Sequence, residues 1–205
     1  MVIVHYFFDP LCGWCYGAAP IIEELRACNE IVVKSYPGGL FDKHSVSPPF
    51  RQHVIDSDLK IAQMSGVEFG EGYLSRVSSS EEVILDSHIT IKAILAFEHI
   101  GGDPWVMLNA IQTAHYVDGE KVNQEGRLEY IAGKLGVHVL DWQEAMSTCE
   151  KKTVRTINDT RSLMSQYTLD GFPSLVVEGK SNKFQINLIE YFDNPSSLIE
   201  RLLKH

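Results

Sequence analysis

The sequence predicts an α/β fold in which an all-helical block interrupts a small set of strands. Three observations carry this. A β-branched and aromatic run, Val2 to Phe8, is followed at once by helical spacing of Ala18, Ala19, Ile21, Ile22 and Leu25. From about Ser47 to Tyr167 strand patterns are almost absent. They return at Ser174. The expected order is strand–helix–strand, helical block, strand–strand–helix.

Val2 to Phe8 reads as a buried strand, ended by Asp9-Pro10. A helix is expected from near Cys12 to about Cys28. Pro20 lies inside it, lacks an N–H and would clash with the carbonyl of Tyr16, so a kink is expected. Ile31 to Tyr36 is a second short strand, closed by Pro37-Gly38-Gly39. This spacing suits a βαβ crossover.

In the block, Phe50 to Met64 is weakly helical, and Gly66 to Ser80 reads as loop with a short turn. Ser87 to Ile100 carries Ile91, Ile94 and Leu95 on a helical period and stops at Gly101-Gly102. Asp103-Pro104 opens the next helix, with a good cap and proline at the first position, and it runs to Val117. Asn123 is expected to cap a helix that ends at Gly136. Asp141 with Glu144 resembles a capping box for a short helix bearing Ala145, Met146 and Cys149. Lys151 to Tyr167 is a longer, more polar helix. Ser174 to Glu178 and Phe184 to Ile189 then make an antiparallel hairpin through a turn at Gly179 to Lys183. Asn194-Pro195 starts a last helix through Leu203.

The chain has 205 residues, with 44% hydrophobic and 22% charged, enough to bury a core. Its formal net charge is −9 and it has no dense Lys/Arg block, which argues against nucleic acid or an anionic membrane as partner. The longest apolar run, Val2 to Phe8, is far below the ~20 residues of a membrane span. Neither a basic leader region nor a small-residue cleavage site precedes Cys12, so a cytoplasmic location is expected.

The informative motif is Cys12-Gly13-Trp14-Cys15, between the first strand and its helix. C-x-x-C at such a junction reads as a redox dithiol. A spacing of three keeps the second thiol within disulfide reach. A helix N-terminus, with unpaired N–H donors and positive dipole potential, favours the thiolate that attacks. Half a zinc site is the other reading. It lacks a second ligand pair, since Cys28 and Cys149 have no Cys or His at ligand spacing. Both lie on apolar helix faces and are expected to be buried, inert thiols. The eight histidines form no ligand set; His44, after the second strand, is the one that could approach the dithiol.

The segments Phe8-Asp9-Pro10-Leu11-Cys12-Gly13-Trp14-Cys15-Tyr16-Gly17-Ala18-Ala19-Pro20 and Gly171-Phe172-Pro173-Ser174 resemble the DsbA-like protein-disulfide oxidoreductases, most nearly their FrnE-type branch. The resemblance implies an α/β thioredoxin fold with a large helical insertion. Residues 1–45 and 153–205 would form the thioredoxin-like domain, and 46–152 the insertion. It implies Cys12 as nucleophile and Cys15 as resolving thiol, with Pro173 a cis-proline facing them. Trp14, Tyr16 and Phe172 would supply apolar substrate contact beside Pro173. No bound cofactor is implied beyond a redox-active Cys12–Cys15 disulfide, with glutathione as a candidate co-substrate. The partners would be protein or small-molecule thiols and disulfides. Relatives often carry a buried acid six residues before the first cysteine, and Tyr6 stands there instead. Two rivals share the features. Kappa-class glutathione transferases and related isomerases have the same fold and insertion, but serine at the Cys12 position and no dithiol. A non-catalytic peptide-binding module would not need the thiols at all.

Overall fold

The computed structural model describes residues 1–179 and 183–204. Strand β1 (Val2–Phe8) leads into α1 (Gly13–Gly17) and α2 (Ala19–Ala27), then β2 (Ile31–Pro37). One long kinked helix was expected here, but the helix is broken at Ala18. Pro20 falls in the first turn of α2, where a missing N–H leaves no bond unmade.

A two-residue strand, β3 (His44–Ser45), precedes α3 (Pro48–Ser65), α4 (Glu71–Ser78) and β4 (Ile84–Leu85). β3 and β4 pair as a small antiparallel ladder that the sequence pattern did not reveal. Helix α4 corrects the loop expected over Gly66 to Ser80. Its glycines serve close packing: a Cβ on Gly70 would lie 2.1 Å from the Val117 carbonyl oxygen. Tyr73 and Val77, one turn apart, form its buried face.

The block continues with α5 (Ser87–His99), α6 (Pro104–Tyr116), α7 (Glu125–Lys134), α8 (Val139–Thr148) and α9 (Glu150–Gln166). Helix α5 is its centre, buried through Ile91, Ala93, Ile94 and Ala96 and packed by α6, α7, α8 and α9. Asp103 caps α6 through Trp105 N as expected. Two caps differ. The residue before α7 is Gln124 rather than Asn123. Helix α8 starts three residues early, where His138 Nδ1 accepts from Leu140 N and moves Asp141 into the first turn.

The chain returns to the sheet as β5 (Ser174–Glu178) and β6 (Lys183–Ile186) and ends with α10 (Pro195–Leu203). The strand expected to Ile189 stops at Ile186, and Leu188–Tyr191 is a 3-10 turn. Residues 180–182 of the expected turn lie outside the described residues. The sheet order is β2-β1-β5-β6, with β2 parallel to β1 and β5 and β6 antiparallel. Alternation in β1 divides the core. Val4, Tyr6 and Phe8 join the large core, whereas Phe7 packs with Met164, Leu169 and Val176. Helix α9 contacts both β2 and α5. The fold is a four-stranded mixed sheet with a largely helical block inserted between β2 and β5.

Candidate active site

Cys12 is the N-cap of α1, in extended conformation with φ −89° and ψ 116°. Its carbonyl accepts from the N–H groups of Cys15 (2.9 Å) and Tyr16 (3.0 Å), which places both thiols on the first turn. Cys12 is 7% exposed and Cys15 1%, so an approaching disulfide meets Cys12 first. Both are free thiols. Burial pushes the Cys15 thiol well above its usual range, and Cys12 beside it adds to the rise. The N–H of Asp9, 3.5 Å from Cys15 Sγ, acts the other way.

Phe172 and Pro173 arrive from the loop before β5, and the bond between them is cis. The Cys12 thiol donates to the Phe172 carbonyl at 3.5 Å. The Phe172 ring lies under the Arg161 guanidinium, 4.9 Å from its centroid, and Arg161 also donates to the carbonyls of Gly38 and Gly39.

Two buried carboxylates flank the dithiol. Asp9 is fully buried and accepts from Leu11 N (2.9 Å), Leu40 N (2.6 Å) and Ser87 Oγ (2.8 Å). It ties the β1–α1 turn to the segment after β2 and to the start of α5. Burial raises its pKa, although these bonds and Arg161 oppose the rise. Asp58, on α3, is 4% exposed and accepts one bond, from Tyr73 Oη at 2.7 Å. Burial raises it to about 6, and the Tyr73 bond works against that. A Cβ on Gly13 would stand 2.7 Å from Asp58 Oδ1, so Gly13 lets α3 pack closely beside the dithiol.

A cavity of about 270 Å³ opens between α1 and the helical block. Cys12, Trp14, Phe41, Phe50, Asp58 and Phe172 are among its walls. A wider recess of about 570 Å³ lies across Trp14, bounded by Pro173, Thr168, Ser174 and Ile186. The structure thus brings together Cys12, Cys15, Trp14, Phe172 and Pro173. Tyr16 is turned away: its ring stacks on Tyr116 at 4.6 Å and its hydroxyl donates to the Glu68 carbonyl. His44 is exposed and packs against Phe41 and Phe50 outside the cavity. Cys149 is buried, but Cys28, expected to be buried, is only partly so: it packs against the core as the C-cap where α2 turns toward β2. Among the described residues, no group of three or more His, Cys, Asp or Glu is placed to hold a metal ion.

Sequence reasoning missed Asp9, Asp58, His115 and Tyr116. Asp9 read only as a strand end. A signal for Asp58 was available: it lies four residues after Val54 and three before Ile61, on the apolar stripe of α3.

Residues 3–194 match the DSBA-like thioredoxin domain. Among solved structures, the chain is similar to the cytosolic disulfide reductase DsbM from Pseudomonas aeruginosa, at 30% identity and TM-score 0.88 over 98% of both chains. It is similar to the same reductase solved with GSH, at 28% identity and TM-score 0.87, over 99% of this chain and 100% of that one. A 2-hydroxychromene-2-carboxylate isomerase shares the fold at 13% identity and TM-score 0.65, over 98% and 96%. No curated protein matches the sequence. The chain therefore belongs to the DsbA-like family of thioredoxin-fold protein-disulfide oxidoreductases.

Proposed function

We propose that this enzyme is a disulfide reductase of the cytoplasm that exchanges disulfides through Cys12 and Cys15 and takes its electrons from glutathione. Cys12 is the nucleophile: it is the more exposed thiol and the N-cap of α1. Cys12 attacks a substrate disulfide, forming a mixed disulfide and releasing one thiol. Cys15 then attacks Cys12 Sγ, releases the second thiol and leaves the Cys12–Cys15 disulfide. Two glutathione molecules reduce that disulfide and leave as glutathione disulfide. Trp14, Phe172 and Pro173 form the substrate surface around Cys12, and Tyr16 supports α1 from behind. The pairing of Cys12 with the Phe172 carbonyl carries this reading: an extended substrate lying along the Pro173 edge would meet the Cys12 sulfur. Similarity to a cytosolic disulfide reductase, also solved with GSH, supports the direction and the co-substrate. The division into residues 1–45 with 153–205 and residues 46–152 remains part of this proposal.

Cys12→Ser is expected to lower glutathione-coupled disulfide reduction to background. Cys15→Ser is expected to accumulate a mixed disulfide on Cys12, seen as a mass adduct. Full turnover by Cys12→Ser, or no adduct in Cys15→Ser, would sink the assignment. Glutathione transfer that survives in Cys15→Ser and dies in Cys12→Ser would instead favour the transferase-like rival.

A further inference from the structure

The cavity beside Cys12 has apolar walls formed by Phe41, Val46 and Leu85 among others, but one patch is polar. Three residues there are more than nine-tenths buried and keep a hydrogen-bonding atom unused among the described residues. Asp58 Oδ1 has no donor, because Tyr73 bonds the other oxygen. His115 receives Arg76 Nη2 on Nδ1 at 3.0 Å. A guanidinium only donates, so Nδ1 is the acceptor and the ring proton resides on Nε2, which has no partner. Burial, with Arg76 beside it, lowers the His115 pKa to about 3, so the ring is neutral near pH 7. The Tyr116 hydroxyl also lacks a partner. All three residues line the cavity, and none of these three atoms is among the fully enclosed, unpartnered ones of the described residues, which are Arg76 Nε and Glu120 Oε2. Tyr73, His115 and Tyr116 lie with ring centroids 4.6–5.4 Å apart.

We infer that this cavity binds low-molecular-weight disulfides carrying an uncharged hydroxyl or carboxamide head. The head donates to Asp58 and accepts from His115 Nε2 or the Tyr116 hydroxyl. The size points to a small molecule: about 270 Å³ is just below the range of roughly 300–1,000 Å³ usual for ligand pockets. The charges select the head. A carboxylate would meet Asp58. A group that both donates and accepts suits all three atoms. The inference rests on the exchange reading above. Cys12 displaces one R–SH from R–S–S–R, Cys15 displaces the second, and two glutathione molecules reduce the Cys12–Cys15 disulfide. Overall, two electrons and two protons pass from glutathione to the substrate.

The test uses three disulfides of nearly equal shape: bis(2-hydroxyethyl) disulfide, dipropyl disulfide and 2,2′-dithiodiacetate. The expected result is a kcat/KM for the hydroxyl compound about tenfold or more above the other two. Tyr116→Phe and Asp58→Asn should each reduce that ratio several-fold while leaving the dipropyl disulfide rate within about twofold. Equal rates on the three compounds in the wild-type enzyme would overturn the inference, as would a ratio unmoved in both variants. The wild-type comparison decides the question even where a variant fails to fold. Trapping a mixed disulfide on Cys15→Ser with 5,5′-dithiobis(2-nitrobenzoate) separates the two failures. Trapping without head-group discrimination overturns only the cavity inference, and no trapping with no turnover removes the exchange reading as well.

Discussion

Asp9 and Asp58 both stand beside the dithiol, both buried, and differ in how fully they are bonded. Asp9 accepts three bonds, from three separate stretches of chain. Asp58 accepts one, and its second oxygen has no donor among the described residues. A saturated buried carboxylate behaves as a structural knot, because each of its donors would be costly to abandon. A half-saturated one beside a cavity keeps capacity for a ligand. The difference teaches which carboxylate is tied into the scaffold and which lines the cavity with an oxygen to spare, although both residues are acidic and buried.

The largest expected effect breaks this comparison on the scaffold side. Asp9→Ala strands two buried backbone N–H groups and the Ser87 hydroxyl. It should cost roughly 3 kcal/mol or more of unfolding free energy. Asp58→Ala removes a half-paired buried charge and should stay within about 1 kcal/mol. Urea denaturation of the two variants measures this, and equal losses would erase the distinction.

Next in size is a pair of opposed pH dependences. The Asp58 pKa is raised on folding, from an ordinary value near 4 to about 6. Its contribution is therefore fully present below about pH 4 and is lost as pH rises through 6. His115 is lowered on folding from 6.5 to about 3. Its contribution is present above 6.5 and is lost as pH falls toward 3. Between pH 7 and 4 the two offset each other, each at roughly 2–3 kcal/mol. Asp58→Asn should steepen the acid loss of stability, and His115→Asn should reverse its sign. Unfolding midpoints at pH 7 and 4.5 provide the check.

The smallest effect sharpens the comparison without moving stability. Gly13→Ala gains up to about 1 kcal/mol of helix propensity but pushes a methyl group into Asp58 Oδ1 and Ile61. The expected net change in stability is under about 1 kcal/mol. The preference for hydroxyl over dipropyl disulfide should nevertheless fall several-fold. A preference unchanged in this variant would mean that Asp58 does not set it.

What could be read from the sequence follows the range of the forces involved. Strands β1, β2 and β5 and helices α5 and α6 announce themselves by apolar period and by caps, which are local signals. The dithiol is equally local, four residues at a strand–helix junction. Helix α4 was hidden because Gly70 and Gly72, ordinary loop signals, instead allow backbone contact with Val117 and Asp118. The polar patch was hidden because Asp58 on α3 meets His115 and Tyr116 on α6 only through packing. Asp58 on the Val54–Ile61 stripe was the one long-range feature with a local trace.

The Asp9 knot and the Phe172 carbonyl also order events in time. Ser87 lies 78 residues beyond Asp9, and Phe172 lies 160 residues beyond Cys12. At ~5–20 residues per second, the ribosome delivers the dithiol on the order of ten seconds before the last of its surroundings. For that interval the nascent chain carries two reactive thiols without their cover, in reach of any oxidant in the cell. Reducing surroundings during synthesis would keep both thiols free until Phe172 arrives.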